Sequence, residues 1–162
     1  MNNKRAPIFA AIGVGVVLIV LFAMPRFMDP KNGLANVWKN AGVECLSMGH
    51  SNIAQHFHPH LTITVDGVNE EIPANVGITN NCMAEVHMHD LSGTIHVETI
   101  EADKIVHLKN FLTVYGKPIN RDGYDVSMTV DGKPNKELDN LVLADKQQII
   151  LNYAKRLSTG EK

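Results

Sequence analysis

Several common functions are excluded by what this chain does not contain. Fifteen lysines and arginines stand against 17 acidic residues, dispersed along the sequence, and no basic stripe of the kind that follows a phosphate backbone occurs. Nucleic acid is therefore not an expected partner. There is no helical HExxH, no nucleophile elbow and no cupin-type glutamate spacing. No internal repeat or low-complexity tract breaks the chain into further domains. Cysteine is scarce: only Cys45 and Cys82 are present.

One stretch lacks charge altogether. Between Arg5 and Arg26 no ionisable side chain occurs, and Ile8 to Met24 is almost wholly aliphatic. Twenty such residues in a helix would cover about 30 Å, the hydrocarbon thickness of a bilayer. The expectation is a single membrane-spanning anchor within residues 1–31, followed by one domain over residues 32–162. A cleaved signal peptide is the competing reading, since Lys4 and Arg5 supply a positive start. The exit, FAMPRFMDP, has no small-x-small cleavage site. The short basic tail favours an inside N-terminus, which puts the C-terminal domain outside the cytoplasm at the cell membrane.

Export bears on the cysteines. An even pair in an oxidising compartment reads as one disulfide, worth about 4 kcal/mol in the chain-entropy picture. Thiolate ligation of a metal is the alternative.

Periodicity predicts a mixed domain. Gly33–Ala41 suits a short helix. Leu61, Ile63 and Val65 alternate with Thr62 and Thr64, and Asp66-Gly67 signals a hairpin. AEVHMH (84–89) and GTIHVE (93–98) read as further strands. Ile105, Leu108, Phe111, Leu112 and Tyr115 recur at helical spacing before Gly116. YDVSMTV, an Asp131-Gly132 turn and QQIILNY complete the set. The fold class expected is α+β: a membrane helix, then a mostly antiparallel sheet with one main helix across it.

Histidine is what the domain has in excess. Seven of eight lie between His50 and His96. In an extended strand, residues two apart share a face. His56, His58 and His60 would then project together, as would His87 with His89, and His96 with Glu98. Converging imidazoles from neighbouring strands suit zinc or copper. The expected ligands are His58, His60, His87, His89 and His96, with His56 and His50 as weaker candidates. Asp90 and Glu98 are candidate acceptors that would orient a ligand ring through its other N–H. Met48, Met83 and Met88 lie beside the cluster, and thioether sulfur favours copper, which places copper just ahead of zinc. Met88 alternates away from the histidines, toward the core. His107 reads as a surface residue.

The segments HFHPHLTITVDG, IPANVGI, Cys82, HMHDLSGTIHVE and FLTVYG together resemble a family of small exported or membrane-anchored bacterial and archaeal proteins. That family has the pattern HxHxxL, IPANIGI, cysteine, HTHDxSGxIHVE and WG. Met88 stands where the family has threonine, and Tyr115 where it has tryptophan. The resemblance covers about Gly49 to Gly116. It implies that His58 or His60, His87, His89, Asp90 and His96 form a site, and it carries no activity.

Three readings of function follow. The first is a membrane-anchored, extracytoplasmic metal-binding domain for handling or sensing copper or zinc, with a protein partner for metal transfer. The second is a metal-dependent hydrolase or lyase using three histidines, with Glu98 or Asp90 as base. The third is an interaction domain without metal, whose histidines respond to pH.

Overall fold

The computed structural model describes residues 30–46 and 51–157. The chain divides into two compact units, residues 1–36 and 37–162, and every strand belongs to the second. Helix α1 spans Pro30–Asn40. Strands β1 (Cys45–Leu46), β2 (Gln55–Phe57), β3 (His60–Val65) and β4 (Val68–Glu70) come next, then β5 (Met83–Ala84), β6 (Val86–His87) and β7 (His96–Thr99). Helix α2 (Leu108–Tyr115) leads to β8 (Tyr124–Val130), β9 (Lys133–Asn135), a 3₁₀ turn at Leu138–Asn140, and β10 (Gln148–Lys155).

The strands form three sheets. The largest has the order β4-β3-β10-β8-β9, a second has β2-β7-β6, and β1 pairs with β5 alone. The hairpin at Asp66-Gly67 joins antiparallel β3 and β4 as its alternation predicts. Leu61, Ile63, Ile149, Leu151 and Tyr153 turn inward from β3 and β10 into one buried core that also holds Leu108, Phe111 and Leu112 of α2. Gly116 ends α2 in the left-handed conformation, and its N–H donates to Thr113 (3.2 Å).

This architecture corrects the expected one. Strand makes up about 36 % of the structure against about 16 % helix, so the domain is mostly sheet, with two helices, one near the short helix expected over 33–41 and the other the main helix α2. The central pair of the largest sheet, β3 and β10, is parallel. A parallel pair requires a long crossover, and everything from β4 to β9 supplies it. Among the described residues no helix is long and apolar enough to cross a membrane. The stretch in which an anchor was expected, Ile8 to Met24, lies outside the described residues.

Local chemistry explains the breaks. The expected strand 84–89 is interrupted at Glu85, whose N–H leaves the ladder to donate to the Glu44 carbonyl (3.0 Å). Pro59 has no N–H to give, and the chain passes there from β2 in one sheet to β3 in another. Cys45 and Cys82 are bridged, tying β1 to the segment that enters β5.

Candidate metal centre

Strand β7 lies between β2 and β6 and pairs with one on each edge. His96 stands directly opposite His87 of β6, and Glu98 directly opposite His56 of β2. Period-two alternation keeps His96 and Glu98 on one face of this sheet, and cross-strand pairing puts His56 and His87 on the same face. The His58 ring lies 4.6 Å, centroid to centroid, from both His56 and His96. His89 closes the group, 4.6 Å from His96 and 4.8 Å from His87.

Two sets of three imidazoles result. His87, His89 and His96 each offer a ring nitrogen within 4.8 Å of the others, and so do His56, His58 and His96. Either set could hold a metal ion, and His96 belongs to both.

Hydrogen bonding fixes the tautomer of the most buried ring. His87 Nδ1 lies 2.8 Å from the Ala84 carbonyl, which can only accept, so Nδ1 carries the proton. The lone pair of neutral His87 is thereby left on Nε2, 3.2 Å from His89 Nε2. A backbone carbonyl on the far nitrogen is the support that orients metal-binding histidines.

Burial sets the titration of the two most enclosed rings. Burial pulls the His87 pKa down to about 4, and burial followed by the neighbouring His89 and His58 does the same to His96. Both rings are neutral at pH 7, with a lone pair to share. Glu98 opposes these shifts at both rings. Its carboxylate is only 2 % exposed and stands 3.3 Å from His56 Nε2. The cluster opens to solvent through a cavity of about 410 Å³ lined by Ile53, His56, His89, His96 and Glu98.

The structure brings together His58, His87, His89 and His96, and adds His56, a weaker candidate on sequence grounds. His60 stands apart. The chain changes sheets at Pro59, so the alternation of His56 and His58 does not carry through, and His60 Nε2 donates to the Ser92 carbonyl (2.7 Å). His50 lies outside the described residues. Asp90 is exposed, and its pKa is lowered first by the Ser92 side chain and then by the Ser92 N–H, which donates to Oδ1 (2.8 Å). Met83 and Met88 are core residues, and Met48 lies outside the described residues. With the cysteines bridged, the described site is built of imidazole and carboxylate alone.

Sequence reading missed two supports. Lys104 pairs with buried Glu85 (Nζ to Oε1, 2.7 Å), two residues before His87, while burial raises the Glu85 pKa. Gly77, in the IPANVGI segment, passes so close to His87 that a Cβ there would lie 3.0 Å from the His87 Cβ. Its left-handed φ of +82° was signalled only by the glycine itself.

No protein family, no curated protein and no solved structure matches this chain.

Proposed function

We propose that this domain binds a transition-metal ion, zinc or copper(II), through His87, His89 and His96, and handles it outside the cytoplasm. One observation carries the reading: two nitrogens aimed at each other across 3.2 Å, one of them fixed by Ala84 as a lone pair. Two imidazole nitrogens about 2.05 Å from a tetrahedral ion must themselves stand about 3.3 Å apart. Without thiolate or thioether in the described site, the argument for copper(I) falls away, and borderline ions that take imidazole remain. The Cys45–Cys82 bridge supports an oxidising compartment. The likeness to small exported proteins agrees, since the motif histidines of HMHDLSGTIHVE are those that converge. Exchange with a carrier protein is the role this reading favours.

Calorimetric titration of the purified chain with Zn(II), and separately Cu(II), tests it. Binding at about micromolar Kd or tighter is expected. A His87→Ala, His89→Ala, His96→Ala variant that bound as well as the parent would sink the proposal.

A second reading, metal-assisted hydrolysis, is favoured by the open cavity beside the cluster. Three histidines leave a coordination position for water, and Glu98 lines the same space as a base. Activated-ester hydrolysis by the zinc-loaded chain, lost in Glu98→Gln with zinc still bound, is its signature. Zinc-loaded chain no faster than free zinc would dismiss it.

A further inference from the structure

The two histidine triads are not independent, because His96 belongs to both. A neutral imidazole keeps one lone pair, its other nitrogen being protonated. His96 can therefore complete one triad or the other, and serving both at once requires loss of its ring proton. Two divalent ions on either side of one ring would also repel each other across a few ångströms.

The triads differ in exposure. His87 is fully buried, at the closed end of the cluster, and its tautomer is locked by Ala84. His56 and His89 are exposed, His58 and His96 half-buried, and the cavity is lined by His56, His89 and His96 but not by His87. The Glu98 carboxylate lies buried against His56 on that side. Only the set of His87, His89 and His96 reaches the buried interior, through His87, and that set is the better organised.

We propose that the triads are two overlapping positions for a single ion: an outer port of His56, His58 and His96, and an inner seat of His87, His89 and His96. Passage inward exchanges the bonds to His56 and His58 for bonds to His87 and His89, with His96 a ligand in both positions. The ligand count is conserved and no electron moves; an ion that passes from one His96 nitrogen to the other displaces the ring proton, which shifts to the nitrogen left behind. This inference rests on the metal-binding reading above and adds to it a stoichiometry of one and a route for exchange.

Native mass spectrometry and chelator competition on the full chain, loaded with Zn(II) alone, test it. The parent should hold one zinc at saturation. His56→Ala, His58→Ala should also hold one, but release it to a chromophoric chelator at least about tenfold more slowly, because the exit ligands are gone. His87→Ala, His89→Ala should still take one zinc, at the port, about tenfold more weakly and with fast release. Circular dichroism confirms folding, and the half-exposed His56 and His58 are replaceable without opening the core. Two zinc ions on the parent would overturn the shared-ion proposal while leaving metal binding intact. Unchanged release from the His56→Ala, His58→Ala variant would overturn the port. No zinc on the parent would overturn this inference and the metal-binding reading together.

Discussion

His87 donates from Nδ1 to the Ala84 carbonyl and faces His89 with Nε2 across 3.2 Å. In the absence of an ion, His89 can satisfy that lone pair by donating from its own Nε2. An ion replaces this one hydrogen bond with two metal bonds, without displacing the backbone of β6. The gain from binding is therefore little reduced by reorganisation.

That preorganisation has a thermodynamic consequence. Zinc at a hundred times its Kd should stabilise the folded chain by about 2.7 kcal/mol, and chelation should remove the gain. Denaturant melts with and without zinc measure it. His89→Ala is the informative variant, since His89 is exposed and its loss leaves no cavity. The variant should melt like the metal-free parent and gain little from zinc. An equal gain in the variant would take His89 out of the site.

The β7 and β6 histidines could be foreseen because local alternation and local pairing agree. HMHD and TIHVE sit on adjacent strands of one sheet, and His87 meets His96 in register. His60 could not be placed by the same rule, since its alternation with His56 and His58 presumes one continuous strand. Pro59 hinted at a boundary, but the second sheet that His60 joins depends on β10, far along the chain. The parallel pairing of β3 with β10 has no local signature, as it reflects the path of the crossover. The approach of Gly77 to His87 is tertiary in the same sense.

Gly77→Ala should damage the site from behind. Its Cβ would lie 2.8 Å from Val114 Cγ1 and 3.1 Å from the Val86 carbonyl, at a left-handed φ of +82°. Left-handed strain and crowding together should cost about 2 to 3 kcal/mol. The Val86 carbonyl and the His87 Cβ are both in the way, so β6 must shift. Zinc affinity should fall along with stability, and both are read from one set of melts with and without metal. A variant that lost stability but held zinc with parental affinity would show that β6 moves as a unit with its partners.

A separate ion cluster sets the acid limit. Glu70 of β4 takes Arg121 in a two-pronged contact (2.6 and 3.0 Å) and Lys117 at 2.9 Å. The Arg121 hydrogen bond leads in lowering its pKa from 4.5 to about 2. A depressed carboxylate pKa means that the unfolded chain binds the proton more tightly. The contribution is then complete above about pH 4.5 and disappears as the pH falls toward 2. Allowing for solvent screening, it is worth about 1 to 2 kcal/mol. Glu70→Gln should be less stable than the parent by that amount at pH 7, with the gap closing near pH 2. A gap that persisted in acid would assign the loss to packing rather than charge.

The disulfide links the site to its surroundings. Cys45 and Cys82 are 37 residues apart, and the enclosed chain includes β2, β3 and β4. Closing a loop of that length removes denatured-state entropy worth about 4 kcal/mol. Cys45 pairs in register with Ala84, the residue whose carbonyl holds His87 Nδ1. Cys45→Ser, Cys82→Ser should therefore do two separable things. It should lower folding stability by about 2 to 4 kcal/mol, measured by urea unfolding of metal-free protein. It should also loosen β1 from β5, free the Ala84 carbonyl to drift, and weaken zinc binding beyond what lost stability explains. Titration under conditions where the variant is fully folded isolates the second effect. Parental zinc affinity there would mean that β5 holds Ala84 in place without help from the bridge.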